Sequence, residues 1–194
     1  MKEILKVVSD ADCASLFKEG YNRISLDDDE LSQMIRTAKP LGRNLAEDDR
    51  RFRQLIVYVT VIVDDKYIMA YKRSGSEKRL HDLWSIGFGG HMDFVADGCE
   101  SNAIIREIKE ELGINTRPED YYFGGVIYKS DTEVDSVHLG LHFILPLSED
   151  TVIEPSDEGY DLTLYEYEEL KDLNLESWSK CVMDSNILER LINV

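Results

Sequence analysis

The segment Leu55–Val63, LIVYVTVIV, constrains the fold more than any other stretch. It is apolar everywhere but Thr60, with no period-2 alternation. Such a β-branched run reads as a strand buried on both faces, the centre of a sheet covered on each side. Asp64-Asp65-Lys66 reads as a turn and YIMAYKR as the returning strand, which makes a hairpin. YYFGGVIY and SVHLGLHFILPL read as two more strands joined by the polar SDTEVD, and DLTLYEY as another strand or turn. One helix is expected from roughly Gly98 to Leu112. A final amphipathic helix carries Trp178, Val182, Leu188, Leu191 and Ile192 on its apolar face. Residues 1–50 read as a mostly helical extension, in which DDDELSQMIRTA begins with acids and stops at Lys39-Pro40. A mixed sheet between helical layers, an α/β fold, is the economical arrangement, with the extension over 1–50 and the main domain over 51–194.

Charge narrows the partners. The 194 residues carry 22 Lys+Arg against 39 Asp+Glu, a net charge of −17. That balance excludes affinity for nucleic acid or anionic membrane through general basicity. The charge is uneven: Met34–Arg79 holds 11 basic and 6 acidic residues, whereas Glu149–Glu176 holds 11 acidic and one basic. The first region suits a phosphate-bearing ligand, and the alternative is two solvated faces of opposite sign. No stretch approaches the roughly 20 apolar residues that cross a bilayer, and MKEILKVVSDADC lacks a signal-peptide pattern. The three cysteines, Cys13, Cys99 and Cys181, are far apart and form no CxxC pair. Free thiols in a cytoplasmic protein are therefore expected, and a structural zinc site is not.

The chemically informative segment is ESNAIIREIKEELGI. At ~100° per residue, Ile104, Ile105, Ile108 and Leu112 share a sector that would face the sheet, while Glu107, Glu110 and Glu111 gather in a neighbouring one. Gly113 stands where a helix ends, and Ile114 re-enters the core. Carboxylates at i, i+3 and i+4 repel one another, by a few tenths of a kcal/mol per pair, and a bound divalent cation reverses that penalty. The bland alternative is a solvated acidic stripe screened by Arg106 and Lys109. Context favours the first reading, because WSIGFGGHMD precedes the helix and its Gly87, Gly89 and Gly90 mark a close backbone approach. The segment fits neither a Walker loop nor GxGxxG.

Gly90 through Ile114 resembles the signature of the Nudix hydrolases, Gx5Ex7REUxEExGU with U a bulky aliphatic. Arg106-Glu107-Ile108-Lys109-Glu110-Glu111-Leu112-Gly113-Ile114 matches its second half at every fixed position. The first half departs: 15 residues separate Gly90 from Arg106 where the signature has 13, and the early glutamate falls on Gly98. Asp97 or Glu100 are the available substitutes, although the two also read as a helix-start capping pair. The resemblance, over roughly residues 55–175, implies an α/β/α sandwich with a mixed central sheet. It also implies a MutT-like pyrophosphatase that cleaves a nucleoside diphosphate derivative or similar organic diphosphate with Mg²⁺ or Mn²⁺. By the same resemblance Glu107, Glu110 and Glu111 are metal ligands with the Gly90 carbonyl as a further one. Glu107 or Glu110 takes the proton of the attacking water, and Arg106 orients the glutamates. A later loop glutamate acts as base or ligand in many members, and EPSDEGYD offers Glu154, Asp157 and Glu158, with Glu158 the leading candidate.

Arg53, Arg73 and Arg79 flank the strand pair leading into the glycine turn and are the candidate phosphate contacts, joined by His91 after the glycines. Lys72 and Arg73 point to opposite faces of a regular strand, so one of the two at most reaches a common site. His138 and His142 share a strand face and read as packing. The expected partner is a small-molecule diphosphate rather than nucleic acid or membrane, and the first 50 residues are a candidate homodimer contact. Two rival functions remain at this level: an isoprenyl diphosphate isomerase-like enzyme, and a catalytically silent nucleotide sensor on the same fold.

Overall fold

The computed structural model describes residues 3–73, 83–154 and 161–192. In chain order the elements are β1 (Ile4–Ser9), α1 (Asp10–Leu16), β2 (Gly20–Asn22), α2 (Asp29–Arg36), β3 (Lys39–Gly42), α3 (Arg43–Ala46), β4 (Phe52–Val63), β5 (Tyr67–Lys72), β6 (Trp84–Ser85), α4 (Glu100–Leu112), β7 (Tyr122–Tyr128), β8 (His138–Leu147), β9 (Leu162–Glu166), α5 (Tyr167–Leu170) and α6 (Ser177–Asp184). This is a mixed α/β fold, as the strand and helix pattern predicts. Among the described residues no helix is long and apolar enough to cross a membrane.

The chain divides into two compact units: Met1–Tyr58 with Gly89–Ile104 and Phe123–His142, and Val59–Phe88 with Ile105–Tyr122 and Phe143–Val194. The first unit holds the strand order β2-β7-β8-β4-β1-β3. Here residues 1–50 differ from the helical expectation. They form α1–α3, but they also form β1–β3, and β1 pairs antiparallel with both β3 and β4, Val7 lying opposite Lys39 and Gln54. The reason is burial on both sides: Leu5, Lys6, Val7 and Val8 are all buried, so the run is too short and too uniform to show a period. α2 forms as read, with the Asp28 side chain accepting from the backbone N–H groups of Glu30 and Leu31 and Arg36 in its last turn.

In the second unit β5 pairs with β4, β6 and β9. The β4–β5 hairpin turns on Asp64 and Asp65, both at φ 51°, the positive-φ pair that a tight two-residue hairpin loop requires. The Lys66 N–H donates back to the Val63 carbonyl at 3.1 Å. A parallel bridge, Trp84↔Leu175, stands among antiparallel ladders. α6 is capped by Glu176, which accepts from the N–H groups of Trp178 and Ser179. It stops at Asp184, short of the apolar face traced to Ile192. Asn186 takes φ 55° and the chain continues in turns, with Leu188 and Ile192 still buried.

Candidate active site

In the second unit the carboxylate helix is built from opposite demands on its two sides. Ile108 and Leu112 are fully buried, each burial worth about 1.5–3 kcal/mol, so the polar side is fixed by packing rather than by its own charges. Arg106 Nη1 donates to Glu107 Oε1 at 2.6 Å and to Glu110 Oε2 at 3.3 Å. The Glu107 side chain is 13% exposed and that of Glu110 is 62% exposed. One guanidinium thus holds two of the three glutamates on one side, and charge-assisted donors of this kind limit their rotamers.

On β5, Tyr71 feels the charges of both Glu111 and Arg73. Tyr71 is 4% exposed and lies tilted against Phe88, ring centroids 5.1 Å apart. Burial pushes its phenol up to about 12, the Arg73 charge works against that rise, and the Glu111 carboxylate adds to it. Arg73 and Glu111 thus act with opposite sign on the same buried phenol. The sequence reading missed Tyr71, although strand alternation carries the signal, since positions 71 and 73 share a face. At the end of α4, the Glu154 N–H donates to the Leu112 carbonyl at 2.9 Å, and a Cβ on Gly113 would come within 2.7 Å of the Glu154 carbonyl oxygen. This brings the EPSDEGYD loop to the helix terminus at Glu154. Glu158, like Arg79, lies outside the described residues.

The glycine turn belongs to the first unit. Gly89 has φ +132°, and a Cβ there would meet the Val57 carbonyl oxygen at 2.1 Å, so only glycine fits against β4. The Gly90 carbonyl accepts from the Val57 N–H at 3.0 Å, which leaves it one lone pair for any other partner. His91 Nε2 lies 3.2 Å from His138 Nε2. His138 Nδ1 is 2.7 Å from the Val134 carbonyl, which can only accept, so His138 Nε2 is unprotonated and accepts from His91. Burial lowers the His138 pKa, in keeping with a neutral ring. His142 is fully buried against the Tyr21 hydroxyl at 2.7 Å.

Arg53 is the clearest correction. Its side chain is 3% exposed. Nε donates to Asp10 at 2.6 Å, Nη1 to the Lys129 and Asp135 carbonyls at 2.6 and 2.7 Å, and Nη2 to Ser130 Oγ at 2.9 Å. The guanidinium also lies 4.5 Å from the Tyr128 ring centroid. A fork committed in this way secures the β7–β8 connection and presents no free face to a phosphate. The two-residue insertion is likewise explained locally. Asp93 Oδ1 accepts from the N–H groups of Val95 and Ala96, and Asp97 Oδ2 accepts from the Asp93 N–H at 2.6 Å. The expected Asp97 cap is thus replaced by a turn, α4 begins at Glu100, and the Gly98 carbonyl accepts from Lys6 Nζ.

The donor set on α4 is made of hard carboxylate oxygens, which suits Mg²⁺ or Mn²⁺. Among the described residues no three acidic, imidazole or thiolate groups converge on one point. Arg106 Nη1 instead bridges Glu107 and Glu110. The set fits such an ion in its chemistry, with Glu110 exposed enough to turn.

Comparison with known proteins agrees with this geometry. A model of the NUDIX domain matches residues 52–185. Protein YmaB of Bacillus subtilis (strain 168) is 31% identical over 182 residues, covering 87% of each chain. The crystal structure of Tm1382, a candidate Nudix hydrolase, superposes with a TM-score of 0.76 at 26% identity, covering 96% of this chain and 98% of that one. The NUDIX domain of Shewanella oneidensis NrtR, solved with ADP ribose, shares the fold at a TM-score of 0.56 and 13% identity, over 72% of this chain and 88% of that one. The family match spans the same hairpin, glycine turn and α4 described above, so the chain belongs to the Nudix family and is a hydrolase of the pyrophosphate-cleaving type.

Proposed function

We propose that residues 51–194 hydrolyse a diphosphate bond in a nucleoside diphosphate derivative or similar organic diphosphate, in the cytoplasm, with Mg²⁺ or Mn²⁺ as cofactor. The observation that carries this reading is the Arg106 bridge to Glu107 and Glu110 on an α4 that retains REIKEELGI whole. Nudix hydrolases generally use divalent metals. Glu107, Glu110 and Glu111 would hold the ion, which supplies neutralisation of the diphosphate charge and a lowered pKa of the attacking water. Arg106 limits the rotamers of its two partners. Glu107 or Glu110 takes the water's proton, with Glu154, whose backbone N–H bonds the Leu112 carbonyl at the end of α4, as the candidate loop carboxylate. Arg73, whose charge acts on Tyr71 against that of Glu111, is the favoured phosphate contact. The free thiols of Cys13, Cys99 and Cys181 suit a reducing compartment.

The NrtR domain was solved with ADP ribose, which makes that compound the first substrate to try. Phosphate or nucleotide release is measured on ADP-ribose, nucleotide sugars, dinucleoside polyphosphates and NTPs with Mg²⁺, with Mn²⁺ and with chelator. Turnover of at least one compound, lost with chelator, is expected. Glu110→Gln is expected to lower kcat roughly 100-fold or more while far-UV circular dichroism is unchanged. A variant turning over like the wild type sinks this assignment. A silent sensor is favoured only by Gly98 at the early glutamate's position, and turnover of any compound excludes it.

A further inference from the structure

Strand β1 precedes the family-matched segment at 52–185, yet it holds the loop that leads into α4. Two bonds close an antiparallel bridge between Leu5 and Asp93: the Lys6 N–H donates to the Met92 carbonyl at 2.9 Å, and the Phe94 N–H to the Ile4 carbonyl at 2.8 Å. The Lys6 side chain adds a third, from Nζ to the Gly98 carbonyl. Gly98 has φ +66° and stands two residues before α4, where the signature's early glutamate would fall. Beside it the Asp97 carbonyl accepts from the Cys99 N–H at 2.7 Å and from Asn102 Nδ2 at 2.6 Å, so this turn is bonded to the first turn of the helix. Lys6 is 8% exposed, and its strand neighbours Leu5, Val7 and Val8 are buried. An aliphatic side chain would fill the position without burying an ammonium or freezing four torsions. The ammonium forms no ion pair among the described residues, so the bond to Gly98 is what a lysine adds there.

We propose that Lys6 is a positioning residue for the hydrolase. From a strand outside the family-matched segment, its ammonium fixes the start of the helix that carries Glu107, Glu110 and Glu111, a role that rests on the reading of those glutamates as metal ligands. α4 runs unbroken from Glu100 to Leu112, so the phase in which its first turn is held sets the directions of the later carboxylates, at ~100° per residue. Lys6 acts through the Gly98 carbonyl and touches neither ion nor substrate.

The test uses the full chain with Lys6→Met, which keeps an apolar stem and removes the donor, and with Val8→Ala, which loosens the same strand and leaves the Gly98 bond in place. Three quantities are read: amide hydrogen exchange over residues 93–104 of the metal-free protein, Mn²⁺ affinity by electron paramagnetic resonance, and kcat and KM for the diphosphate turned over best. Lys6→Met is expected to speed the exchange, and to weaken Mn²⁺ and lower kcat roughly tenfold each with KM nearly unchanged, the range found when a group that orients metal ligands is lost. Val8→Ala is expected to lower the melting temperature with Mn²⁺ affinity and kcat unchanged. Unaltered exchange or unaltered Mn²⁺ affinity in Lys6→Met, equal losses in Val8→Ala, or a raised KM at constant kcat would each overturn the assignment. A wild type that binds Mn²⁺ but turns over no compound refutes hydrolysis alone, and exchange and Mn²⁺ affinity still decide the role of Lys6. Should Lys6→Met not fold, Lys6→Gln, whose amide ends one bond short of the ammonium, is measured in its place.

Discussion

Replacing Gly89 by alanine tests how the glycine turn is fitted to β4. The added Cβ meets the Val57 carbonyl oxygen at 2.1 Å, where contacts under 3.0 Å are essentially never observed, so one backbone must retreat by ~0.9 Å. Neither backbone is free to do so. The Val57 N–H is bonded to the Gly90 carbonyl at 3.0 Å, and Val59 and Phe88 exchange bonds of 2.7 and 2.9 Å just beyond. Overpacking of this kind costs about 1–3 kcal/mol, and holding alanine at φ +132° adds about 1–3 kcal/mol. The expected loss is ~2–6 kcal/mol, a large share of the ~5–15 kcal/mol that holds a domain folded. Equilibrium urea unfolding at constant m reads it as a lowered midpoint. Gly20→Ala separates the two causes, because Gly20 has φ +109° and a Cβ added there would find nothing within 4 Å. It should lose the backbone part alone. A loss below ~1 kcal/mol for Gly89→Ala, or equal losses for the two variants, refutes the steric reasoning.

Arg53→Met should destabilise the protein by about 3–5 kcal/mol, since it strands the Asp10 carboxylate and the Lys129, Asp135 and His138 carbonyls, and adding Asp10→Asn should recover part of that in thermal unfolding. Gln54 is fully buried, and among the described residues neither of its side-chain amide atoms has a partner, so Gln54→Leu should raise stability by about 1 kcal/mol; a fall in the melting temperature would refute the accounting. Burial pushes His142 down to about 3 from 6.5, so below pH 6.5 the unfolded chain takes up a proton that the folded state refuses. Stability should then fall as pH drops through 6.5, by up to ~1.4 kcal/mol per pH unit, and His142→Phe should show a shallower slope between pH 7 and 5 in melting experiments.

Local pattern carried much of this protein. The unbroken apolar run of β4, the Asp-Asp turn and the β5 return are visible because each depends on neighbours within a few residues. The same holds for α4, where 3.6-residue spacing places Ile108 and Leu112 inward and three glutamates together on the other side. β1 and β3 were hidden because a short strand in a ladder takes its stability from partners far along the chain, Val7 from Gln54 and Lys39. Arg53 shows the limit most plainly. Its place beside a basic-rich hairpin suggested a phosphate contact, yet its bonds reach Asp10, 43 residues away, and the Asp135 carbonyl, 82 residues away. Residue types and their spacing along the chain decided that this is a pyrophosphate-cleaving hydrolase with a carboxylate helix. Which charges are free to meet a ligand was decided only in the tertiary structure, because a guanidinium's availability depends on every acceptor that folding brings within about 3 Å of it.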